Sequence, residues 1–593
     1  MISRDDAGRA TIRAVRVTEP LKIDGRLDER VYQDVPSLSG FIQHQPLANV
    51  PATEETEVWV FFDRDNLYIS ARCWDSAPES KWVANEMRRD SFAIVQNEHF
   101  VVLLDTFYDR RNAILFTLNP IGGRMDGQIT DERAWNGDWN PIWEFRTGRF
   151  DKGWTVEMAV PFRSLRYRPG KAQTWGVNFQ RNVRWKNETS ALTSLAAARG
   201  APSAAIFQIH LSATLVGLEV PEARSSANLE IKPYAVSELK TDRTSALPVS
   251  NDLTGNLGLD VKYGLTQNLT ADFTYNTDFA QVEADEQQVN LTRFNLFFPE
   301  KREFFLENQG IFQFGGAGSF GGGGGGGGQG PTGGGDTTPT MFYSSRIGLN
   351  QGLEVPIEAG GRLTGRIGKF SLGLLNIRTD NEPVSQSAPT NFTVVRVKRN
   401  LLRRSSIGAI LTGRSVALNG VGSNEAYGVD GAFAFYDNLT INTYWARTRT
   451  DGLSGKDTSY RGQLDYAGDR YGLQLERIVV GDHFNPELGF VSRDDMKRSF
   501  ALFRFSPRPT SIKSVRKFSW VGSLNYIDDG EGRLQTREQQ GQFGIEFQNS
   551  DRVDVGLTRS FEFLKAEFPI ASGVTIPVGG YDFVNARMAF TLG

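Results

Sequence analysis

From residue 227 onward, apolar and polar positions alternate with a period of two. Leu257, Leu259, Val261 and Tyr263 fall on one side of their segment, with Gly258, Asp260 and Lys262 on the other. Leu269, Ala271, Phe273 and Tyr275 alternate in the same way with Thr270, Asp272 and Thr274. This is the pattern of a strand with one face in an apolar medium and one in water. It recurs as far as 580–592 and predicts about sixteen strands of roughly 9–11 residues, the length of a tilted membrane strand. Short connections at 264–267, 368–369, 400–404, 437–438, 468–470 and 550–551 alternate with long ones at 240–252, 279–358, 380–392, 416–425, 450–457, 482–496, 528–536 and 563–579. A soluble sheet could show the same alternation by pointing its apolar face into a core. Loop lengths that alternate in step are what an outer-membrane barrel requires, with short periplasmic turns and long external loops. The scheme holds only if 341–349 is not a further crossing, which puts that segment in the long third connection or in the lumen.

Residues 12–220 read differently. Strands are expected at 56–62, 67–73, 100–105, 113–119, 143–148, 153–161 and 175–184, all short and rich in β-branched and aromatic residues. Helix is expected only at 28–35 and near 161–165. Nine of the eleven tryptophans lie between Trp59 and Trp185. The chain therefore divides into an all-β sandwich over 1–222 and an antiparallel transmembrane barrel of sixteen or more strands over 223–593.

Composition narrows the function. Mean hydropathy is −0.36, and no apolar run approaches the roughly 18 residues of a membrane helix. Neither value opposes a barrel, whose lumen-facing residues are polar. A net charge of −3 gives no reason to expect a nucleic-acid partner. Cys73 is the single cysteine and reads as a small buried residue. The four histidines are scattered, so no zinc site is expected. The first residues lack the apolar stretch of a signal peptide, so an exported chain is expected to have lost its leader or to start incompletely. The eight glycines of 321–328, within the Gly-rich stretch 315–335, read as a flexible loop and not as a phosphate cradle.

Two blocks resemble a known family. The first is Leu21-Lys-Ile-Asp-Gly-Arg-Leu-Asp-Glu-Arg-Val-Tyr32, with Asp24, Gly25, Asp28 and Glu29, followed by 65–69 and 119–122. It resembles the family 9 carbohydrate-binding module found at the N-terminus of the DUF5916 proteins. The second holds Pro299, Glu300, Lys301, Arg302, Phe304, Phe305 and Glu307, and then Tyr343 and Arg346. It resembles the centre of the same proteins, for which the resemblance implies an outer-membrane barrel. Ser345 departs from the second Arg expected there, and the final residues 590–593 suggest a chain that runs further in its relatives. Read physically, Ile23 and Leu27 belong in a core, Asp24-Gly25 in a turn, and Asp28 at a helix cap. Charges of alternating sign around Phe304-Phe305 suit a solvated loop or, better, a segment folded into a polar lumen.

The resemblance directs attention to sugar chemistry, in which aromatic faces stack on C–H-rich surfaces while carboxylates and amides bond hydroxyls. Trp135, Trp139 and Trp143, spaced by four among Asp and Asn, are one candidate set. Trp74, Asp75 and Trp82 are a second. Asp126, Asp131 and Asp138 could hold calcium, although their spacing matches no known loop. No nucleophile elbow is present, and no pair of carboxylates can be placed at glycosidase separation. The leading expectation is glycan binding, handling or uptake by an outer-membrane protein with a periplasmic sandwich, its partners being lipid and an oligo- or polysaccharide. The alternatives are a polysaccharide hydrolase and an assembly protein without sugar binding.

Overall fold

The computed structural model describes the chain apart from residues 1, 5–9, 133, 169, 196–201, 221–228, 243–248, 267, 278–299, 301, 317–337, 351–352, 384, 403, 437, 572 and 593. The N-terminal unit is a sandwich of a ten-stranded and a five-stranded sheet. Strands His99–Asp105, Ala113–Leu118 and Ala172–Val183 of the larger sheet face Thr56–Phe62, Asn66–Trp74 and Gly153–Pro161 of the smaller. Inward-pointing residues of both, including Val58, Ile69, Trp154, Phe100, Phe116 and Trp175, share one core. Cys73 lies in that core, and burial pushes its thiol up to about 12. The helix expected at 28–35 is a single turn, Val31–Asp34, without a side-chain cap. Asp28 therefore does not cap it, because the turn begins after Arg30.

Strand Ala213–Glu219 ends the sandwich, and Leu229–Asp242 opens a sixteen-stranded antiparallel sheet that ends at Gly579–Thr591. Among the described residues no ladder joins these two edge strands. The alternation read from sequence sets the faces. Leu257, Leu259, Phe273 and Tyr275 are exposed outward, while Thr270, Asp272 and Thr274 are buried inward. Ala271 points outward by register yet is covered, its small side chain lying between larger neighbours. Met341 and Ile347 are buried in the interior core, so 341–349 adds no crossing. Loop length departs from the alternation at 506–514, nine residues at the short-turn end, and at 529–533, only five at the other.

The sandwich sits on the short-turn end of this sheet through charged contacts. Arg366 donates to Asp109 at 2.6 Å. Arg111 donates to Asp131 at 2.5 Å, Ser405 O at 3.1 Å and Ser406 Oγ at 2.9 Å. Lys398 pairs with Asp131, and Arg404 with Glu132 at 2.8 Å. These barrel residues lie beside the turns after Ile357–Ile367 and Thr390–Leu401.

Candidate functional site

The three tryptophans spaced by four do not form a shared platform. Trp143 is 7% exposed; its Nε1 donates to Asp126 at 3.2 Å, and its ring packs on Phe116 and Phe145 at 4.8 and 5.0 Å. It is a core residue with no face free for a sugar. Trp139 is partly buried over Phe116. Trp135 lies on the outer face of the larger sheet, stacked on Phe207 at 5.9 Å. A four-residue spacing aligns side chains on a helix, and this segment is a three-residue strand followed by a turn. The three aspartates are likewise dispersed. Asp126 engages Arg89 and Trp143, while Asp131 faces the barrel. Among the described residues no group of three acidic, His or Cys side chains is placed to hold a metal.

The second set is brought together only in part: the Trp74 indole turns to the outer face of the smaller sheet, where its Nε1 donates to Glu57 at 2.9 Å and its ring meets Phe150 at 5.0 Å. Trp74 ends its strand, and Asp75 follows it into the loop that carries Trp82. The Asp75 carboxylate accepts from Trp185 Nε1 at 3.1 Å, from the Ala77 amide at 2.9 Å and from Arg181 Nη2 at 3.3 Å. Arg181 and Asp75 side chains have no exposed surface, so this ion pair fixes the floor of the loop. Beside it, Glu54 accepts from the Ser76 amide and hydroxyl and pairs with Lys186. Trp74, Trp82 and Trp185 are half-buried. Lys186 and Lys81 lie 4.9 and 6.0 Å from the Trp185 ring, and Arg149 5.7 Å from Trp82. Burial pushes Glu98, which accepts from the Arg184 amide at 2.7 Å, up to about 7.

Strand register places this cluster at one end of the sandwich. Asn182 pairs with His99 and Gly153 with Trp74 at that end, whereas Gly176 pairs with Asp105 at the end facing the barrel. Half-buried indoles, cationic side chains and carboxylates thus lie at the end of the sandwich farthest from the sixteen-stranded sheet. Trp185, Arg181, Lys186 and Glu98 were not singled out from sequence. Their one signal was a Trp flanked by cations just after a strand, in Arg184-Trp-Lys186.

The family-motif residues occupy two other places. Asp24 and Gly25 wrap a buried carboxylate, donating through their amides to Glu157 Oε2 at 3.1 and 2.8 Å. Gly25 has φ +84°, and a Cβ there would lie 3.0 Å from the Thr147 backbone, so the turn needs glycine. Glu29 stands nearby and raises the pKa of Glu157. In the second block, Pro299 and Lys301 lie outside the described residues. The remainder runs inside the barrel. Arg302 pairs with Glu300 at 2.6 Å, donates to Ser344 O and Ile347 O at 2.8 Å, and covers the Phe305 ring at 4.4 Å. Phe304 lies under Arg362 at 5.2 Å. Glu307 joins all three parts of the molecule, accepting from Arg166 of the sandwich at 3.0 Å and pairing with Lys262 of the wall at 2.7 Å. Tyr343 and Arg346 donate to the backbone oxygens of Leu488 and Gly489. Gly315, where the Gly-rich stretch begins, donates to Asp430 and accepts from Arg461. The solvated-loop reading of this block is therefore replaced by an inserted segment in which Glu307 pairs with inward-facing Lys262, while Glu300 and Arg302 pair with each other.

No curated protein matches the chain. A carbohydrate-binding module of family 9 from Caldicellulosiruptor kristjanssonii, in complex with cellotriose, is 16% identical with a TM-score of 0.25, covering 36% of this chain and 96% of its own. OpdL of Pseudomonas aeruginosa is 8% identical with a TM-score of 0.26, covering 83% and 98%. OccAB2 of Acinetobacter baumannii is 9% identical with a TM-score of 0.26, covering 83% and 97%. The family model described as "Domain of unknown function (DUF5916)" matches residues 225–317. That match spans the first three barrel strands and the inserted segment as far as Gly316, the region that ties wall, lumen and sandwich together. Over residues 225–317 the chain is thus similar to the DUF5916 family model.

Proposed function

We propose that this is an outer-membrane protein that binds a glycan at the free end of a periplasmic sandwich and handles or takes up that glycan through its barrel. The half-buried Trp185 indole, held on Asp75 with Lys81 and Lys186 beside its ring and Trp82 next to Lys81 in the chain, carries the reading. Indole faces suit C–H-rich sugar surfaces, and the surrounding carboxylates, ammonium and guanidinium groups suit hydroxyls. Docking of the sandwich on short turns supports the periplasmic placement, because such barrels keep their short turns on that side. The division between the two units is placed at 222/223.

Full-length protein in detergent, titrated with neutral oligosaccharides while Trp fluorescence is followed, tests the proposal. Stacking on one indole contributes about 1 kcal/mol, so Trp185→Ala and Trp82→Ala should each weaken binding about fivefold. No response across a panel of β- and α-linked oligosaccharides overturns it. So does unchanged affinity in both variants.

A further inference from the structure

The inward face of the barrel changes character around its circumference. From strand Leu269–Thr277 to Leu439–Thr450 the lumen-facing residues are almost all covered. Leu375, Phe392, Val394, Ile410 and Tyr444 share a core with Phe305, Phe312 and Phe314 of the inserted segment. From Thr458–Ala467 to Arg552–Leu564 that core reaches only positions near the long loops, such as Ile478, Met496 and Ile527. Elsewhere on this side register turns Gln463, Gln474, Ser523, Gln540, Gln542 and Thr558 inward, and every one is half-buried. Leu502 and Val521 lie among them on the same face. The same register also turns Asp465, Arg504, Glu538 and Asp554 inward; Glu476 takes Arg461 at 2.6 Å and Arg498 at 2.9 Å, and Asp554 takes Arg552 at 2.6 Å.

This wall meets a second space. Under the sandwich lies a cleft open to solvent, lined by Asp131, Glu132, Gln313, Lys398, Arg404 and Asn442 among others. Asn442 Nδ2 donates to Gln463 Oε1 at 3.1 Å, so the lining of the cleft abuts the first amide of the wall.

Resting on the outer-membrane glycan reading, we infer that the amide- and hydroxyl-rich wall is a conduit for small neutral polyhydroxylated solutes, from the cleft past Gln463 toward the long loops beside Glu538 and Ser560. Carboxamides and hydroxyls each offer donors and acceptors to sugar hydroxyls without fixing a charge. Leu502 and Val521 give the C–H faces of a sugar an apolar strip. The filled side, closed by packed aromatic residues, offers no equivalent path.

The test uses full-length protein reconstituted in liposomes. Swelling in glucose or maltose should exceed that of protein-free liposomes and should be several-fold faster than in gluconate. Gln540→Trp with Gln542→Trp should slow it several-fold. Ser523→Cys and Thr558→Cys should react with a membrane-impermeant thiosulfonate in the folded protein, and Thr364→Cys and Thr412→Cys should not; buried Cys73 leaves the background silent. Protection at 523 and 558, or equal labelling on both sides, overturns the conduit. Equal swelling in gluconate overturns the solute class. Lost swelling with an intact Trp-fluorescence response to sugar defeats this inference alone, whereas intact swelling without that response defeats the glycan-binding reading alone.

Discussion

Glu157 has no exposed surface, yet it accepts from the Tyr32 hydroxyl at 2.7 Å and from two backbone amides. Burial outweighs those bonds, and nearby Glu29 adds repulsion, so its pKa is pushed up to about 7. In the unfolded chain a Glu titrates near about 4.3. Between these values the folded protein retains a proton that the unfolded chain has released, so this contribution to stability is complete below the lower value and is lost as pH rises through the upper one. Glu98 acts with the same sign. The near-UV thermal midpoint of the sandwich should therefore fall between pH 5 and pH 8. It should fall less in Glu157→Gln, which keeps a donor and an acceptor in place; an identical slope overturns the assignment. Arg181 is the opposite case, a buried charge whose value lies in its partner. Arg181→Ala strands Asp75 and should cost about 3–5 kcal/mol, visible as a large drop in that midpoint. Arg181→Met combined with Asp75→Asn should recover much of the loss. Residue type was legible in sequence, as buried Cys73 illustrates, but company was not. Trp143 and Trp74 each have one Asp and one Glu within five residues in sequence, and only the fold decides that one is core and the other sits on a rim.

At the scale of elements, a two-residue period is enough to count strands, because a one-residue slip would turn every side chain to the wrong face. The sixteen strands and their faces follow from it. What lies inside them does not, since the inserted segment has no period, and only its alternating charges hinted at inward partners. Lys262 faces the lumen as the alternation requires, but it pairs with Glu307, so Lys262→Glu would set two carboxylates together and should loosen the inserted segment. The lipid face behaves more simply. Phe273 is 56% exposed outward, and an Arg near the bilayer midplane costs about 2–4 kcal/mol. Phe273→Arg should reduce the fraction of heat-modifiable folded protein, whereas Thr270→Ser on the lumen side should leave it unchanged. The Gly-rich stretch also divides. Gly315 is bonded to the wall, while 321–328 lies outside the described residues. Deleting 321–328 should preserve the compact gel band, and loss of that band would show the run to be structural.

For the whole molecule, the question is what holds the sandwich against the sixteen-stranded barrel. Area is not the distinguishing term, because the contacts are charged and partly buried. Arg404 and Glu132 are 12% and 9% exposed as side chains, and Glu132 also meets His210 at 2.7 Å. Asp131 and Lys398 pair across 267 positions of sequence. No local pattern could announce that partnership: each is an ordinary charge beside a turn, and the match exists only once both units have folded. Shielded pairs of this kind are screened weakly by salt and are strongly unfavourable when one partner is removed. Glu132→Arg should place two guanidinium groups together and lower the sandwich midpoint, and Arg404→Glu should do the same with two carboxylates. The double variant restores opposite charges. If the sandwich is docked through this contact, the pair should show a coupling of about 0.5–3 kcal/mol in a double-mutant cycle, with the midpoint partly recovered. Strictly additive losses would mean that each residue acts within its own unit and that docking rests on Arg111, Asp109 and Arg366 instead. The near-UV signal suits this measurement, because nine of the eleven tryptophans lie in the sandwich and report its release directly.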